Sequence, residues 1–100
     1  MATATESEAA VKLSAEQIKA ISRALGDPRR FEILQKIAAQ RCSPCSDLRE
    51  CFPITAATMS HHVKELQNAG LIETVRRGKF VDMVFRRDTW DAYLSELNKM

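Results

Sequence analysis

One hundred residues, 45% of them hydrophobic and 28% charged, suit one globular domain of ordinary composition. No apolar run approaches the roughly 20 residues of a membrane span, and the N-terminus lacks a signal-peptide pattern, so we expect a cytoplasmic protein with no membrane partner. The net charge of +2 is small, but residues 76–87 hold five bases against one acid, Asp82, and this local density favours a polyanionic partner.

The first part of the chain divides into an arm and the start of a folded domain. Residues 1–13 contain few large apolar side chains, so we expect a flexible N-terminal arm before a single domain over residues 14–98. Ser14 and Gln17 form a capping box in front of a segment whose apolar residues recur at helical spacing. This pattern predicts a first helix over about 15–25.

Two proline-containing pairs predict the next two helix starts. Asp27 and Pro28 supply an N-cap and a first helical residue that needs no hydrogen-bond donor, and an amphipathic helix is expected to follow them. Ser43 and Pro44 repeat this pair, which predicts a short third helix over about 45–51.

The fourth predicted helix has the clearest functional pattern. Thr55 is a suitable N-cap, Gly70 stands where helices end in a left-handed residue, and Met59, Val63 and Leu66 form one apolar stripe. The opposite face begins with small or hydrogen-bonding side chains, which suit insertion into a DNA groove. A short helix, a tight turn and a longer helix with a polar outer face form a helix-turn-helix layout.

After this helix the pattern changes to that of strands. Residues 71–76 and 80–86 are rich in β-branched and aromatic residues, and Gly78 between them supplies the positive φ of a hairpin tip. Asp88 is expected to cap a last helix. The predicted class is therefore mainly α with a β-hairpin (α+β), in the order ααααββα, which is a winged helix-turn-helix with an additional terminal helix.

At these segments the chain resembles the ArsR/SmtB family of bacterial repressors. Residues 24–34 are similar to the family's L-x-D-P-T-R-x-x-I-L segment, and residues 46–48 to its C-x-L segment. Residues 54–72 are similar to L-S-Q-S-T-V-S-H-H-L-K-x-L-x-x-A-G-L-V almost throughout, and residues 77–81 are similar to the wing. The resemblance covers about residues 15–97 and implies a DNA-binding transcriptional repressor, which is not an enzyme and requires no cofactor.

The resemblance also implies which residues contact DNA. The start of the family's recognition helix approaches base edges, and the matching residues are Ala56, Ala57, Thr58, Ser60 and His61. Phosphate contacts are expected from Lys64, Arg76, Arg77 and Lys79. The two alanines replace polar residues of the family pattern, so the preferred operator sequence is expected to differ and to include thymine methyl contacts.

Each of these expectations has a structural alternative. His61 can be a solvated surface histidine, and the wing bases can serve solubility. His62 lies nearer the apolar stripe, where packing or a hydrogen bond is as reasonable as a DNA contact.

Family members dimerise through the first and last helices, and the resemblance implies the same here. The implied interface consists of Ile18, Trp90, Tyr93, Leu94 and Leu97. Two-fold pairing would place two recognition helices on the half-sites of an inverted-repeat operator. The alternative is that these side chains belong to the core of a single chain.

The three cysteines raise the question of an inducer. The family's arsenic sensors carry a C-x-C-D-L-C run at the third helix, and this chain has Cys42, Cys45 and Cys51 nearby in a different register. Soft thiolates would suit As(III) or Sb(III), whose binding would release DNA. Because the odd cysteine count comes without a secretion signal, we expect free thiols rather than a disulfide framework.

Other roles of the thiols stay open at this stage. A disulfide between Cys42 and Cys45 would make a redox switch, structural zinc would need a further ligand such as His61 or His62, and the thiols can also sense nothing. A thiol enzyme built on the C-x-x-C pair lacks the βαβ context that such motifs need. A winged-helix module that binds proteins rather than DNA is the remaining functional alternative.

Overall fold

The computed structural model describes residues 12–40, 42–44 and 50–100, with only the backbone described for residues 40 and 42–44. Its elements are, in chain order, α1 (Ala15–Leu25), α2 (Pro28–Gln40), β1 (Cys42–Pro44), α3 (Ala56–Asn68), β2 (Ile72–Arg77), β3 (Phe80–Phe85) and α4 (Arg87–Asn98). Most of the predicted arm and residues 45–49 of the predicted third helix lie outside the described residues. None of the described helices is long and apolar enough to cross a membrane.

The first two helices begin at the predicted caps. The Ser14 hydroxyl accepts a hydrogen bond from the backbone N–H of Gln17 at 3.1 Å. The Asp27 carboxylate accepts from the backbone N–H groups of Arg29 and Arg30 at 3.0 and 3.1 Å. These bonds satisfy donors that the first turn of a helix leaves without partners, and for this reason both helices start where the sequence predicts.

The start and inner face of α3 also follow the prediction. Thr55 has an extended backbone, and its hydroxyl accepts from the N–H of Thr58 at 3.1 Å. The predicted apolar stripe of Met59, Val63 and Leu66 is buried against the core. The opposite face is thereby directed to solvent.

The end of α3 is a left-handed glycine closure. Gly70 has a φ of +81°, its N–H donates to the carbonyl of Gln67 at 3.0 Å, and the N–H of Leu71 donates to the carbonyl of Leu66 at 3.1 Å. This pair of bonds is the Schellman arrangement, and the buried Leu66 and Leu71 accompany it. The chain therefore leaves α3 in a fixed direction and enters β2 directly.

The hairpin is part of a three-stranded antiparallel sheet in the order β1-β3-β2. Arg77 pairs with Phe80 across a two-residue turn in which Gly78 has a φ of +63°. Strand β1 was not predicted, and the prediction that Ser43 and Pro44 begin a helix was wrong. Proline lacks a donor, which an edge strand tolerates, and the pairing that makes this segment a strand is with distant β3.

The core lies between the helices and the inner face of the sheet. Its largest fully buried side chains are Ile21, Ile33, Ile37, Met59, Leu66, Leu71 and Ile72. Helix α4 begins earlier than predicted: its N-cap is Arg86 and makes no side-chain capping bond, so the assignment of Asp88 as cap was wrong. Asp88 lies in the first turn and accepts from the N–H of Thr89 at 2.9 Å, a favourable place for a carboxylate near the positive end of a helix.

Candidate nucleic-acid interface

The solvent face of α3 carries every recognition-helix residue for which a DNA contact is predicted. All six are exposed: Ala56, Ala57, Thr58, Ser60, His61 and Lys64. The first turn contains no acidic residue. A surface of methyl groups, hydroxyls and one imidazole, without a carboxylate, can approach base edges without repelling the phosphates beside them.

The hydroxyls at the start of α3 are ordered by one another. The Thr55 hydroxyl donates to the Thr58 hydroxyl oxygen at 3.0 Å while accepting from the Thr58 backbone N–H. A threonine hydroxyl has one hydrogen and two acceptor positions. The hydrogen of the exposed Thr58 hydroxyl therefore stays available to a base or phosphate acceptor.

The basic residues of the wing differ in how far their charge is balanced. Arg76 and Lys79 are exposed, and neither forms an ion pair with any residue that the structure describes. Arg77 instead makes a bidentate contact with Asp82, with Nε–Oδ2 at 2.7 Å and Nη2–Oδ1 at 3.2 Å. The Asp82 side chain is 5% exposed, so Arg77 supplies charge compensation to a buried carboxylate as well as a cation near the wing tip.

Arg86 also forms ion pairs with neighbouring carboxylates. Its guanidinium holds both oxygens of Asp88, at 3.1 and 2.9 Å, and reaches Glu73 at 3.4 Å. The hydrogen bonds from Arg86 are the main reason that the pKa of the Asp88 carboxyl lies below its ordinary value. The basic surface of residues 76–87 is therefore smaller than the composition suggested, and Arg76 and Lys79 are its best candidates for phosphate contacts.

The two histidines of α3 have different environments. His61 is exposed, whereas His62 is buried and its Nδ1 accepts a hydrogen bond from Nε of Arg30 at 3.2 Å. His62 is therefore packed and hydrogen-bonded inside the protein, which is the structural alternative to a DNA contact. The buried Arg30 was not identified as important from the sequence, although it occupies the arginine position of the D-P-T-R segment.

The predicted dimer residues are not equally accessible. Ile18 and Trp90 are half-buried, and Leu94 and Leu97 are 39% and 46% exposed. Tyr93 is buried within the chain, and its hydroxyl is 2.9 Å from that of Ser22 on α1. The exposed leucines are therefore the part of this stripe with most apolar surface left for a partner.

Little of the predicted thiol site can be placed. Cys51 is exposed and free, only the backbone of Cys42 is described, and Cys45 lies outside the described residues. Within the described part of the chain, no group of three histidine, cysteine or acidic side chains is arranged to hold a metal ion.

A small cavity of about 200 Å³ lies between α2, the end of β3 and the start of α4. It is lined by Phe31, Leu34, Gln35, Ala38, Phe85, Arg87 and Trp90. Its lining contains neither a carboxylate nor a histidine or cysteine, so it lacks the usual groups for acid–base or nucleophilic chemistry.

A capped recognition helix packed on a helical core, followed by a two-stranded wing, defines a winged helix-turn-helix domain. Residues 25–75 match the family model described as a helix-turn-helix domain. Over 86 residues the chain is 33% identical to an uncharacterized HTH-type transcriptional regulator, YceK, of Bacillus subtilis, covering 84% of this chain and 86% of the relative. It is 35% identical over 66 residues to an arsenical resistance operon repressor of Staphylococcus xylosus, covering 66% of this chain and 62%, less than two thirds, of that protein.

Solved structures show the same fold. An ArsR-like transcriptional regulator from Rhodococcus sp. RHA1 superposes with a TM-score of 0.77 at 23% identity, covering 84% of this chain and 78% of that one. A homodimeric winged helix-turn-helix DNA-binding domain from Mycobacterium bovis superposes with a TM-score of 0.70 at 21% identity, covering 89% of each chain. The protein belongs to the ArsR family of winged helix-turn-helix transcriptional regulators.

Proposed function

We propose that the protein is a homodimeric repressor that binds an inverted-repeat DNA operator through α3 and the wing. The observation that carries the proposal is the exposed face of α3, which begins without an acidic residue and offers hydroxyls, methyl groups and an imidazole. The cations of Arg76 and Lys79 extend this surface along the hairpin. Base contacts would come from α3 and phosphate contacts from Lys64 and the wing, including the outer edge of Arg77.

The wing supplies the direct test. Arg76 and Lys79 are better targets than Arg77, because replacing Arg77 also disturbs its ion pair with buried Asp82. The probe is a labelled duplex that the wild-type protein selects from a random-sequence pool. We expect Arg76→Ala with Lys79→Ala to reduce affinity. Because the dimer would lose two phosphate contacts at each half-site, the slope of log affinity against log salt should become shallower by roughly 3.6, about 0.9 for each of the four lost contacts.

The matched control removes two cations from α1 and its approach, with Lys12→Ala and Lys19→Ala. Both lysines are exposed. This variant therefore loses the same net charge as the wing variant, but from residues outside the wing. This control should leave the salt slope near that of the wild type. An equal effect of both double variants on the slope would contradict the proposed interface, and failure to select any duplex would favour a protein-interaction module.

The proposal extends to the inducer. Three relatives are named arsenical resistance operon repressors, and thiolates are suitable ligands for As(III) or Sb(III). The thiols proposed to act are Cys42, Cys45 and Cys51, of which the described Cys51 side chain is exposed. The competing proposals are release by oxidation and repression that is independent of the thiols.

These alternatives separate in one binding experiment. Affinity for the selected duplex is measured with arsenite, with an oxidant and with neither, for wild type, Cys45→Ser and Cys51→Ser. We expect arsenite to release DNA from the wild type and serine substitution to weaken that response. Release only by oxidant would support the redox alternative, and no release under any condition would contradict both thiol mechanisms.

A further inference from the structure

A buried polar cluster joins α2 to α3 on the side opposite the exposed recognition face. Its centre is the hydrogen bond from Arg30 Nε to His62 Nδ1, at 3.2 Å, and both side chains are buried. Arg30 Nη2 also lies 3.8 Å from Oδ2 of Asp27, the residue that caps α2. One end of this cluster is thus fixed to the start of α2 and the other to the middle of the recognition helix.

The donor in this bond determines the protonation state of His62. A guanidinium has only hydrogen-bond donors, so Nδ1 must present a lone pair, and the imidazole is neutral with its hydrogen on Nε2. Protonation would place a hydrogen on Nδ1, remove the acceptor of Arg30 and bring two cations into contact. The buried Arg30 would then have to move away from His62 or draw water into the contact.

The surroundings of His62, burial first among them, favour its neutral form on balance. Burial lowers the pKa of His62 most, and the cations of Arg30 and Arg29 on α2 and the neighbouring His61 on α3 lower it further. Asp27 opposes them and raises it, but the net direction is below the ordinary histidine value. The neutral imidazole that the Arg30–His62 bond requires is therefore the form we expect at neutral pH, and acidification would remove it.

We propose that His62 is a positioning residue for DNA binding, whose neutral imidazole fixes α3 on α2 through Arg30 and whose protonation weakens binding. The argument is one of placement: His62 lies between the exposed Ser60 and Lys64 in sequence, so a change in how its side chain packs moves the surface presented to DNA. This inference rests on the DNA-binding function proposed above.

The direction in which DNA affinity changes on acidification separates this mechanism from a direct charge effect. Protonating an exposed histidine beside DNA adds a positive charge near phosphates and strengthens binding. Protonating buried His62 breaks its bond to Arg30 and acts in the opposite direction.

The test measures affinity for the selected duplex between about pH 7.5 and about pH 5 at constant ionic strength. We expect the wild type to lose about tenfold in affinity as the pH falls, the loss expected for one buried hydrogen bond to a charged group. His62→Gln should bind at neutral pH without this fall, because an amide oxygen can accept from Arg30 and does not titrate. His61→Gln replaces the other imidazole of α3, on the proposed DNA-contact face, so only its pH dependence is compared, and it should retain the fall. Far-UV circular dichroism verifies folded protein at each pH.

Imidazole nitrogen chemical shifts of the wild type give a readout that does not depend on a variant. They should show Nε2 protonated and Nδ1 unprotonated at neutral pH, with a titration midpoint for His62 that matches the fall in affinity. A fall that persists in His62→Gln, tighter wild-type binding in acid, or a protonated Nδ1 at neutral pH would each overturn this inference while DNA binding itself stands. Selection of no duplex at all would overturn the proposed function and the inference with it.

Discussion

Gly70 shows how one residue connects two parts of the molecule. Its φ of +81° closes α3, and a Cβ at this position would lie 2.6 Å from Nε2 of Gln17 on α1. Gln17 uses the same nitrogen to donate to the carbonyl of Ala69 at 3.4 Å. The absence of a side chain at Gly70 therefore serves both the backbone conformation and the approach of α1 to the end of the recognition helix.

Replacement of Gly70 by alanine should lower the free energy of unfolding through both effects. The left-handed conformation costs an alanine about 1–2 kcal/mol, and displacement of the Gln17 amide should add roughly 0.5–1 kcal/mol for its lost hydrogen bond. The loss is measured by urea denaturation.

Gly78→Ala is the matched comparison, because Gly78 has a φ of +63° but nothing within 4 Å of an added Cβ. It should show only the conformational cost. In a Gln17→Ala background the two substitutions should become nearly equal in cost. If Gly70→Ala and Gly78→Ala cost the same in both backgrounds, the contact with Gln17 has no influence on stability.

At the scale of elements, the recognition helix is held at three places. Thr55 caps its start, the Arg30–His62 bond holds its middle, and the Gln17 amide reaches the carbonyl of Ala69 at its end. The last two contacts come from α2 and α1 respectively. The orientation of α3 thus depends on polar contacts as well as on its apolar stripe, and these contacts have more specific geometry than hydrophobic burial.

In the wing, ion pairs with neighbouring residues determine which basic side chains keep a free charge. Arg77 and Arg86 belong to a basic segment, yet both form ion pairs, Arg77 with the buried Asp82 and Arg86 with Asp88. Their first role is to hold the hairpin and the start of α4. The exposed cations of this segment without an ion pair among the described residues are Arg76, Lys79 and Arg87, and the first two lie nearer the tip.

At the scale of the whole molecule, the proposed dimer makes a testable claim about α4. Leu94 and Leu97 expose apolar surface on a helix whose Tyr93 is already packed against α1. We expect Leu94→Glu with Leu97→Glu to place charges in the proposed interface, to convert the protein from dimer to monomer in sedimentation velocity, and to weaken binding to a two-half-site duplex by at least about tenfold.

The control adds the same two charges elsewhere, with Gln35→Glu and Ala39→Glu on the exposed face of α2. It should stay dimeric and lose much less affinity. A wild type that sediments as a monomer at the concentrations used, or a leucine double variant that stays dimeric, would contradict the proposed interface.

The features that depend on local chemistry can be predicted from the order of the amino acids alone. The caps at Ser14, Asp27 and Thr55, the positive φ of Gly70 and Gly78, and the stripe of α3 all follow from residues within a few positions of one another. Together with the motif resemblance, they were sufficient to predict the fold class and the exposed face of α3.

The features that depend on distant partners appear only in the folded chain. Strand β1 exists because Cys42–Pro44 pairs with Val84, Met83 and Asp82 of β3, and no local signal marks it. The burial of His62 and Arg30, and the pairing of Arg77 with Asp82, likewise arise where separate elements meet. Charge and hydrogen-bonding capacity can be read from the sequence, but the partner that uses them is fixed only when the chain folds.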